Sequence, residues 1–186
     1  MTDPVIVVGT GRCGSSFVSG ILHNDLGVLM GDRFRKPDPL RNPDGYYEDL
    51  DFVDLNRDLL FNYMTFGGWM IKIQDLISKR LSMDKPWGFK DPQVSELMGL
   101  YLGFFNKPKI IWCQRSFRAV LDSFVTKNRW TETDARHIIS ARFTCLKRLL
   151  ESRDRLDIVF KQDERKTKEE IISVITSKWP TWDSVS

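Results

Sequence analysis

Short apolar runs alternate along the chain with segments whose apolar residues recur every three or four positions. The apolar runs have strand length and are rich in Val, Ile, Phe and Trp, and they lie near 5–8, 87–90, 109–113 and 157–160. The segments with helical spacing cover about 15–24, 48–64, 70–82, 94–105 and 131–153. Such alternation predicts an α/β fold with a central parallel sheet flanked by helices on both faces.

The clearest amphipathic segment is the one at 131–153. Its apolar residues fall on one helical face and are Ala135, Ile138, Ile139, Phe143, Leu146, Leu149 and Leu150. Thr131 and Asp134 supply capping chemistry at its N-terminus. We predict that this face packs in the core.

Residues 25–47 have no regular spacing and are rich in Gly, Pro, Asp and Arg. They predict a long loop, and loops of this length in compact domains are usually functional. Four basic residues of the loop are candidates to meet an anionic acceptor, with a solvated segment as the alternative: Arg33, Arg35, Lys36 and Arg41.

Composition places the chain among soluble globular proteins. The 186 residues are 41% hydrophobic and 28% charged, which predicts a single domain over 1–186. The net charge of +3 is too small to indicate nucleic-acid binding, although it suits an anionic ligand. The oligomeric state is left open.

Targeting and redox features point to the cytoplasm. The longest apolar stretch, 97–105, is far shorter than the roughly 20 residues that span a bilayer. Only four residues precede the first predicted strand, so we expect no signal peptide and no membrane partner. The three cysteines have no paired spacing, which favours a reducing compartment and no zinc site.

A glycine-rich turn joins the first predicted strand to the first predicted helix. Its glycines let backbone N–H groups converge on an anion, and the helix dipole adds positive potential. The spacing fits a Walker A loop, but Ser15 stands where nucleoside-triphosphate enzymes have lysine, and the cation comes earlier, at Arg12. The sequence therefore predicts a phosphate-binding loop in a three-layer, P-loop-like fold. The candidate residues are Gly11, Arg12, Cys13, Gly14, Ser15 and Ser16.

A second candidate phosphate site follows the strand at 109–113. Arg115 stands at the strand's end, and Ser123 lies eight positions later in a helical segment. An arginine offers a planar fork to a phosphate dianion, and a serine two helical turns on adds a hydroxyl. The alternative is that both are ordinary surface residues of a helix start.

These two segments resemble those of the sulfotransferases that use 3′-phosphoadenylyl sulfate (PAPS). Basic–small–Gly–Ser–Ser at 12–16 resembles their phosphosulfate loop, and Arg115 with Ser123 resembles their 3′-phosphate-binding segment. Residues 90–93 resemble the Lys-Asp-Pro-Arg segment of carbohydrate and tyrosylprotein members, with Gln93 as the last residue. Residues 42–48 resemble the Asn-Pro-x-Gly-aromatic-Glu segment of bacterial and heparan-type members. The resemblance covers roughly 4–126.

The resemblance implies transfer of a sulfuryl group from PAPS to a hydroxyl of a small-molecule or carbohydrate acceptor, leaving PAP and using no metal. In this interpretation Arg12 neutralises charge on the leaving side, and Glu48 is the base. Lys90 and Asp91 are the second choice, as orienters or base. The alternative for Glu48 is that it merely opens a helix. The alternative functions are a P-loop kinase of a small metabolite and a non-catalytic PAP- or nucleotide-binding module.

The end of the chain departs from the family pattern. Residues 161–164 are Lys-Gln-Asp-Glu where sulfotransferases usually have a Tyr-Glu-Asp-Leu-like segment, and no Arg-Lys-Gly loop follows. The cofactor clamp is therefore either incomplete, which would leave an inactive member, or built from Lys127, Arg129 and Trp130. His23 and His137 lie in no matching motif, and we interpret both as structural.

Overall fold

The computed structural model describes residues 3–62, 66–161 and 166–180 of the chain. The strands in these ranges are β1 (Val5–Val8), β2 (Gly88–Lys90), β3 (Lys109–Arg115) and β4 (Leu156–Phe160). The helices are α1 (Ser15–Asn24), α2 (Leu50–Phe61), α3 (Phe66–Leu81), α4 (Val94–Tyr101), α5 (Phe117–Asn128), α6 (Glu132–Leu150) and α7 (Lys168–Lys178).

The strands form one sheet in the order β2-β1-β3-β4. All three neighbouring pairs are parallel, with Val5 opposite both Gly88 and Lys109, and Ile111 opposite Leu156. Each pair is connected through helices, as parallel pairing requires. The predicted α/β fold with a central parallel sheet is confirmed, and the four predicted strands are present.

The sheet has a hydrophobic core on each face. Val5 and Val7 point into a core shared with α1, α5 and α7. Ile6 and Val8, which alternate with them, point into a core shared with α2, α3 and α4. The first half of α6 packs in the former core and its second half in the latter. Helices therefore flank both faces, an arrangement consistent with three layers.

The differences from the predicted helices have physical causes. The segment predicted at 94–105 leaves the helix after Tyr101, yet Phe104 and Phe105 still pack on the core, because an apolar period reports burial and not backbone conformation. In α6 the predicted core residue Phe143 is 44% exposed. Helix α7 was not predicted, since it buries only Ile171 and Ile175.

The prediction of a long loop at 25–47 is confirmed. The segment between α1 and α2 has no regular element and is anchored by isolated bridges such as Leu29 to Trp87 and Phe34 to Asp49. Residues 162–164 of the atypical end segment lie outside the described residues. Within the described ranges, no helix combines the length and the apolar character needed to cross a membrane.

Candidate functional site

The candidate phosphate loop lies at the carboxyl edge of the sheet. The chain passes from β1 to β2 on one side of β1, whereas β3 pairs with its other side. Open α/β sheets bind ligands at such a switch point, beyond the carboxyl ends of the strands. Arg12, which follows β1, and Arg115, at the end of β3, are in hydrogen-bond contact there.

The backbone of the loop has the shape of an anion-binding concavity. Gly11, Arg12 and Gly14 have φ values of 89°, 57° and 90°, and left-handed residues in such turns direct N–H groups inward. Gly14 is the N-cap of α1 and supplies no side-chain cap. A side chain at this position would collide with the ring of Phe160, 2.5 Å from an ideal Cβ. Glycine is therefore required where α1 begins.

Arg12 connects the two predicted phosphate sites. Its Nε donates to Ser123 Oγ at 2.9 Å, and its Nη2 donates to the Arg41 carbonyl at 3.1 Å. Arg115 Nη1 donates to the Arg12 carbonyl at 3.5 Å. Burial lowers the pKa of Arg12, and the positive charges of Arg115 and Arg41 lower it further. An anion bound here would supply the compensating charge.

Lys90, at the end of β2, is buried and donates hydrogen bonds to two other segments of the chain. Its Nζ donates to Ser16 Oγ at 3.0 Å, to the Tyr46 carbonyl at 2.9 Å and to Glu48 Oε1 at 2.9 Å. Glu48 is only 5% exposed, and its Oε2 lies 3.5 Å from Arg35 Nη1. The lysine thus joins the phosphate loop to the segment that carries the predicted base.

The alternative role of Glu48 as a helix opener is wrong in its geometry. Helix α2 begins at Leu50, and its N-cap is Asp49, whose side chain accepts from the backbone N–H of Asp51. Glu48 precedes the cap and points into the site instead.

Asp91 lies behind the site. Its carboxylate accepts from Asn56 Nδ2 at 2.8 Å and from the Gln93 N–H at 3.1 Å, and burial raises its pKa. Asn56 in turn accepts from the Tyr101 hydroxyl at 2.5 Å. The residue is tied into the core beneath β2, away from the cavity that Lys90 and Glu48 line.

These side chains surround a cavity of about 190 Å³, hereafter the cationic cavity. Among the described lining residues, four guanidinium groups and one ammonium group face one carboxylate. Its lining residues are Gly11, Arg12, Ser15, Ser16, Arg35, Arg41, Tyr46, Glu48, Lys90, Pro92, Phe124, Asn128, Trp130 and Arg142. Phe124 and Trp130 form an aromatic wall with ring centroids 5.2 Å apart. The predicted Cys13, Gly14, Asp91, Arg115 and Ser123 are not in the lining; Cys13 is buried behind the loop.

The sequence analysis missed Arg142. Its Nε donates to Glu96 Oε1 at 2.7 Å and its Nη1 to the Thr10 carbonyl at 3.3 Å, which ties α6 to the phosphate loop. A signal was available, because Arg142 falls on the buried stripe of α6 between Ile139 and Leu146. A lone arginine on an apolar face requires a buried partner or ligand.

Three of the four basic residues of the long loop divide between the cationic cavity and an ion pair. Arg33 pairs with Asp51 at 2.6 Å. Arg35 lies over the Tyr46 ring at 4.5 Å, and it and Arg41 line the cationic cavity. Of the four predicted residues, two therefore face the phosphate loop and one is paired elsewhere.

The loop is held at its far end by a buried ion cluster, here called the Arg80 cluster. Arg80 is fully buried on α3 and donates to Asp32 at 2.8 Å, to Asp51 at 3.0 Å and also to Asp49. Because Asp49 directly follows Glu48, the cluster fixes the backbone that presents the candidate base.

Neither histidine reaches the cavity lining. His23 packs edge-on against Phe34, with ring centroids 4.9 Å apart, and His137 is exposed on α6. Across the described parts of the chain, no group of three or more His, Cys, Asp or Glu is arranged to hold a metal ion.

No protein-family model matches the chain, and no curated protein matches it. The grounds for a function are therefore the cationic cavity and the motifs around it.

Proposed function

We propose that this protein is a P-loop-like, PAPS-dependent sulfotransferase that transfers a sulfuryl group to a hydroxyl of a small-molecule or carbohydrate acceptor. One observation carries the proposal. Segments more than 70 residues apart, the phosphate loop with Ser16 and the end of β2 with Lys90, meet with Glu48 in one cationic cavity. The described lining residues carry five cationic side chains and one carboxylate, an excess of positive charge that favours an anionic ligand.

The cavity residues, together with Arg115 and Ser123 beside Arg12, suit the two anionic ends of PAPS. The loop N–H groups, the hydroxyls of Ser15 and Ser16 and the Arg12 guanidinium would hold the 5′-phosphosulfate. Arg115 and Ser123 would hold the 3′-phosphate. The aromatic wall of Phe124 and Trp130 offers a flat apolar surface for adenine. It stands in the region where the sequence suggested an alternative clamp.

Glu48 is the base in this proposal. The acceptor oxygen forms a bond to sulfur while the bond from sulfur to the phosphate oxygen breaks, and that oxygen keeps the electron pair. The acceptor's proton goes to the Glu48 carboxylate, which Lys90 orients through a 2.9 Å hydrogen bond. Arg12 stabilises the charge that develops on the leaving phosphate. PAPS itself supplies the activated sulfuryl group.

Two other functions make different predictions for the same cavity. A small-metabolite kinase needs a lysine that reaches the β- and γ-phosphates of ATP, and Ser15 occupies that position of the loop. A non-catalytic PAP-binding module would use the same anion contacts without turnover. Residues 161–164 depart from the sulfotransferase pattern, and this departure is the observation that supports the non-catalytic alternative.

Thermal-shift measurements with PAP, ADP and ATP plus magnesium separate these functions. A ligand at 100 times its Kd stabilises the native state by about 2.7 kcal/mol. We expect PAP to raise Tm most, and Ser123→Ala to reduce that shift while the exposed Ser140→Ala does not. A shift with magnesium–ATP and none with PAP would identify a kinase. A PAP shift without transfer of label from PAPS to any hydroxyl acceptor would identify the binding module.

A further inference from the structure

A second pocket adjoins the cationic cavity on the other side of Ser16, whose side chain borders both. It has a volume of about 390 Å³ and lies between α1, the turn at 42–47 and the start of α7. We call it the α1–α7 pocket. Its lining residues are Ser16, Phe17, Gly20, Ile21, Asn24, Asp25, Asn42, Asp44, Gly45, Tyr47 and Lys168.

The backbone at Tyr47 distributes three successive side chains between the two spaces. Tyr46 and Glu48 line the cationic cavity, whereas Tyr47 lines the α1–α7 pocket. Tyr47 has a φ of 49°, a conformation that is unfavourable for a bulky residue and is found where the surrounding structure demands it. The turn thus places a candidate base and a candidate acceptor contact back to back.

The Tyr47 ring is firmly placed. An ideal Cβ at Gly20 would come within 2.9 Å of its Cε2, so the ring rests directly on the glycine of α1. Its hydroxyl accepts from Asn24 Nδ2 at 2.8 Å and keeps its own hydrogen to donate. Together with the half-exposed Phe17, it gives the pocket apolar walls with a polar hydroxyl group at their edge.

The described lining of this pocket has two carboxylates and one ammonium group, whereas that of the cationic cavity has an excess of cations. Lys168 is its lining cation, and its Nζ lies 2.5 Å from the Asp25 carboxylate, so the two charges compensate each other. Asp44 adds a further carboxylate at the exposed rim. A carboxylate or sulfate group on an acceptor would be repelled there, because like charges brought together at a binding surface are unfavourable.

We propose that the α1–α7 pocket binds the acceptor, and that the acceptor is an uncharged glycoside. The aromatic walls suit the apolar face of a sugar ring, and the amide and carboxylate groups of Asn24, Asn42 and Asp44 suit vicinal hydroxyls. Ser16 borders both spaces, and the hydroxyl to be sulfated would have to pass it to reach Glu48. This assignment rests on the proposed function for its reaction, although not for the binding itself.

The test compares two probes that differ only at C6, p-nitrophenyl β-glucoside and p-nitrophenyl β-glucuronide. Their affinities for the intact protein are measured by ligand-observed NMR, with and without saturating PAP. We expect the neutral glucoside to bind about two- to fivefold more tightly, the effect of one exposed charge. Asp44→Asn should narrow this ratio, and Asp44→Lys should reverse it. Asp75→Lys, which makes the same charge change at an exposed site on α3, should leave the ratio unchanged.

Equal or tighter binding of the glucuronide by the wild-type protein would overturn the assignment. So would absence of binding by both probes, or an affinity ratio that Asp44→Lys does not change. The PAP thermal shift reports independently on the proposed function. If PAP fails to bind while the glucoside preference responds to Asp44, the pocket assignment stands and the sulfotransferase proposal fails. If PAP binds and the glycosides do not, the reverse holds.

Discussion

Replacing Glu48 by glutamine tests the proposed chemistry at the carboxylate that is proposed to take the proton of the acceptor. The substitution keeps the size of the side chain and an oxygen to accept from Lys90, but it removes the ability to take a proton. We therefore expect turnover at saturating PAPS to fall by about 10²–10⁴-fold. PAP affinity should not fall, because the proposed anion contacts are cations of the cavity and Glu48 is a carboxylate, which repels an anion.

The contacts of Lys90 set the accompanying loss of stability. Removing a partner from a buried ion pair costs about 3–5 kcal/mol when the remaining charge has nothing else. Here Lys90 keeps Ser16 Oγ, the Tyr46 carbonyl and the new amide oxygen. The loss should therefore be closer to the value of one charge-assisted hydrogen bond, about 1.5–3 kcal/mol.

The assay needs three measurements on each protein: transfer of label from PAPS, the PAP thermal shift, and the free energy of unfolding in urea. Glu96→Gln is the matched control, because Glu96 also pairs with a cation of the cavity wall, Arg142, at 2.7 Å. It should lose similar stability and keep a rate near that of the wild type. The double variant Glu48→Gln, Lys90→Met should lose more stability than Glu48→Gln alone, because the buried Tyr46 carbonyl and the new amide would then lack the Lys90 donor.

A near-normal rate for Glu48→Gln at saturating PAPS would refute the assignment of the base. Equal rate losses in Glu48→Gln and Glu96→Gln would also refute it, since the effect would then follow from loss of cavity charge in general. In either case Glu48 would be a residue that only positions Lys90.

Three further predictions concern the anion contacts and the ion pairs. Arg115→Ala should weaken PAP binding by about 1.5–3 kcal/mol and hardly change binding of adenosine 5′-phosphosulfate, which lacks the 3′-phosphate; equal losses in calorimetry would contradict the assignment. Ser15→Lys should not create magnesium-dependent ATP hydrolysis, and phosphate release would reveal a kinase-like site. Burial opposes ionisation of Asp51, but hydrogen bonds from Arg33 and Lys79 outweigh it and lower its pKa. The stability it contributes is therefore present above its unfolded pKa of about 4 and lost at lower pH, so Asp51→Asn should flatten the fall of Tm between about pH 5 and pH 3, and an unchanged slope would count against it.

The strands and the glycine-rich turn after β1 could be predicted because local sequence determines them. β1 and β3 are continuous apolar runs, as strands buried on both faces must be. The carboxyl ends of parallel strands share one edge, so the loop after β1 and Arg115 after β3 had to lie near each other.

Other parts of the site depend on contacts that no local pattern contains. Arg142 reaches the loop from α6, over 130 residues away from its partner Thr10, and only its position on an apolar stripe hints at burial. The direction of Tyr47 depends on a single positive φ and on the bare surface of Gly20. Because the loop at 25–47 has no periodic pattern of apolar residues, its backbone path could not be predicted from the sequence.

The Arg80 cluster couples formation of the candidate site to the docking of α3, which takes place away from the sheet. Three carboxylates from the loop and the start of α2 converge on one arginine near the end of α3. Among the described residues, Asp32 and Asp49 pair with no cation other than Arg80, so helix and loop should order and open as one cooperative unit. A molecule in which this unit has opened keeps its sheet and its phosphate loop but has no wall carrying Glu48. The proposed anion binding would then survive in a partly folded state that cannot catalyse the proposed transfer.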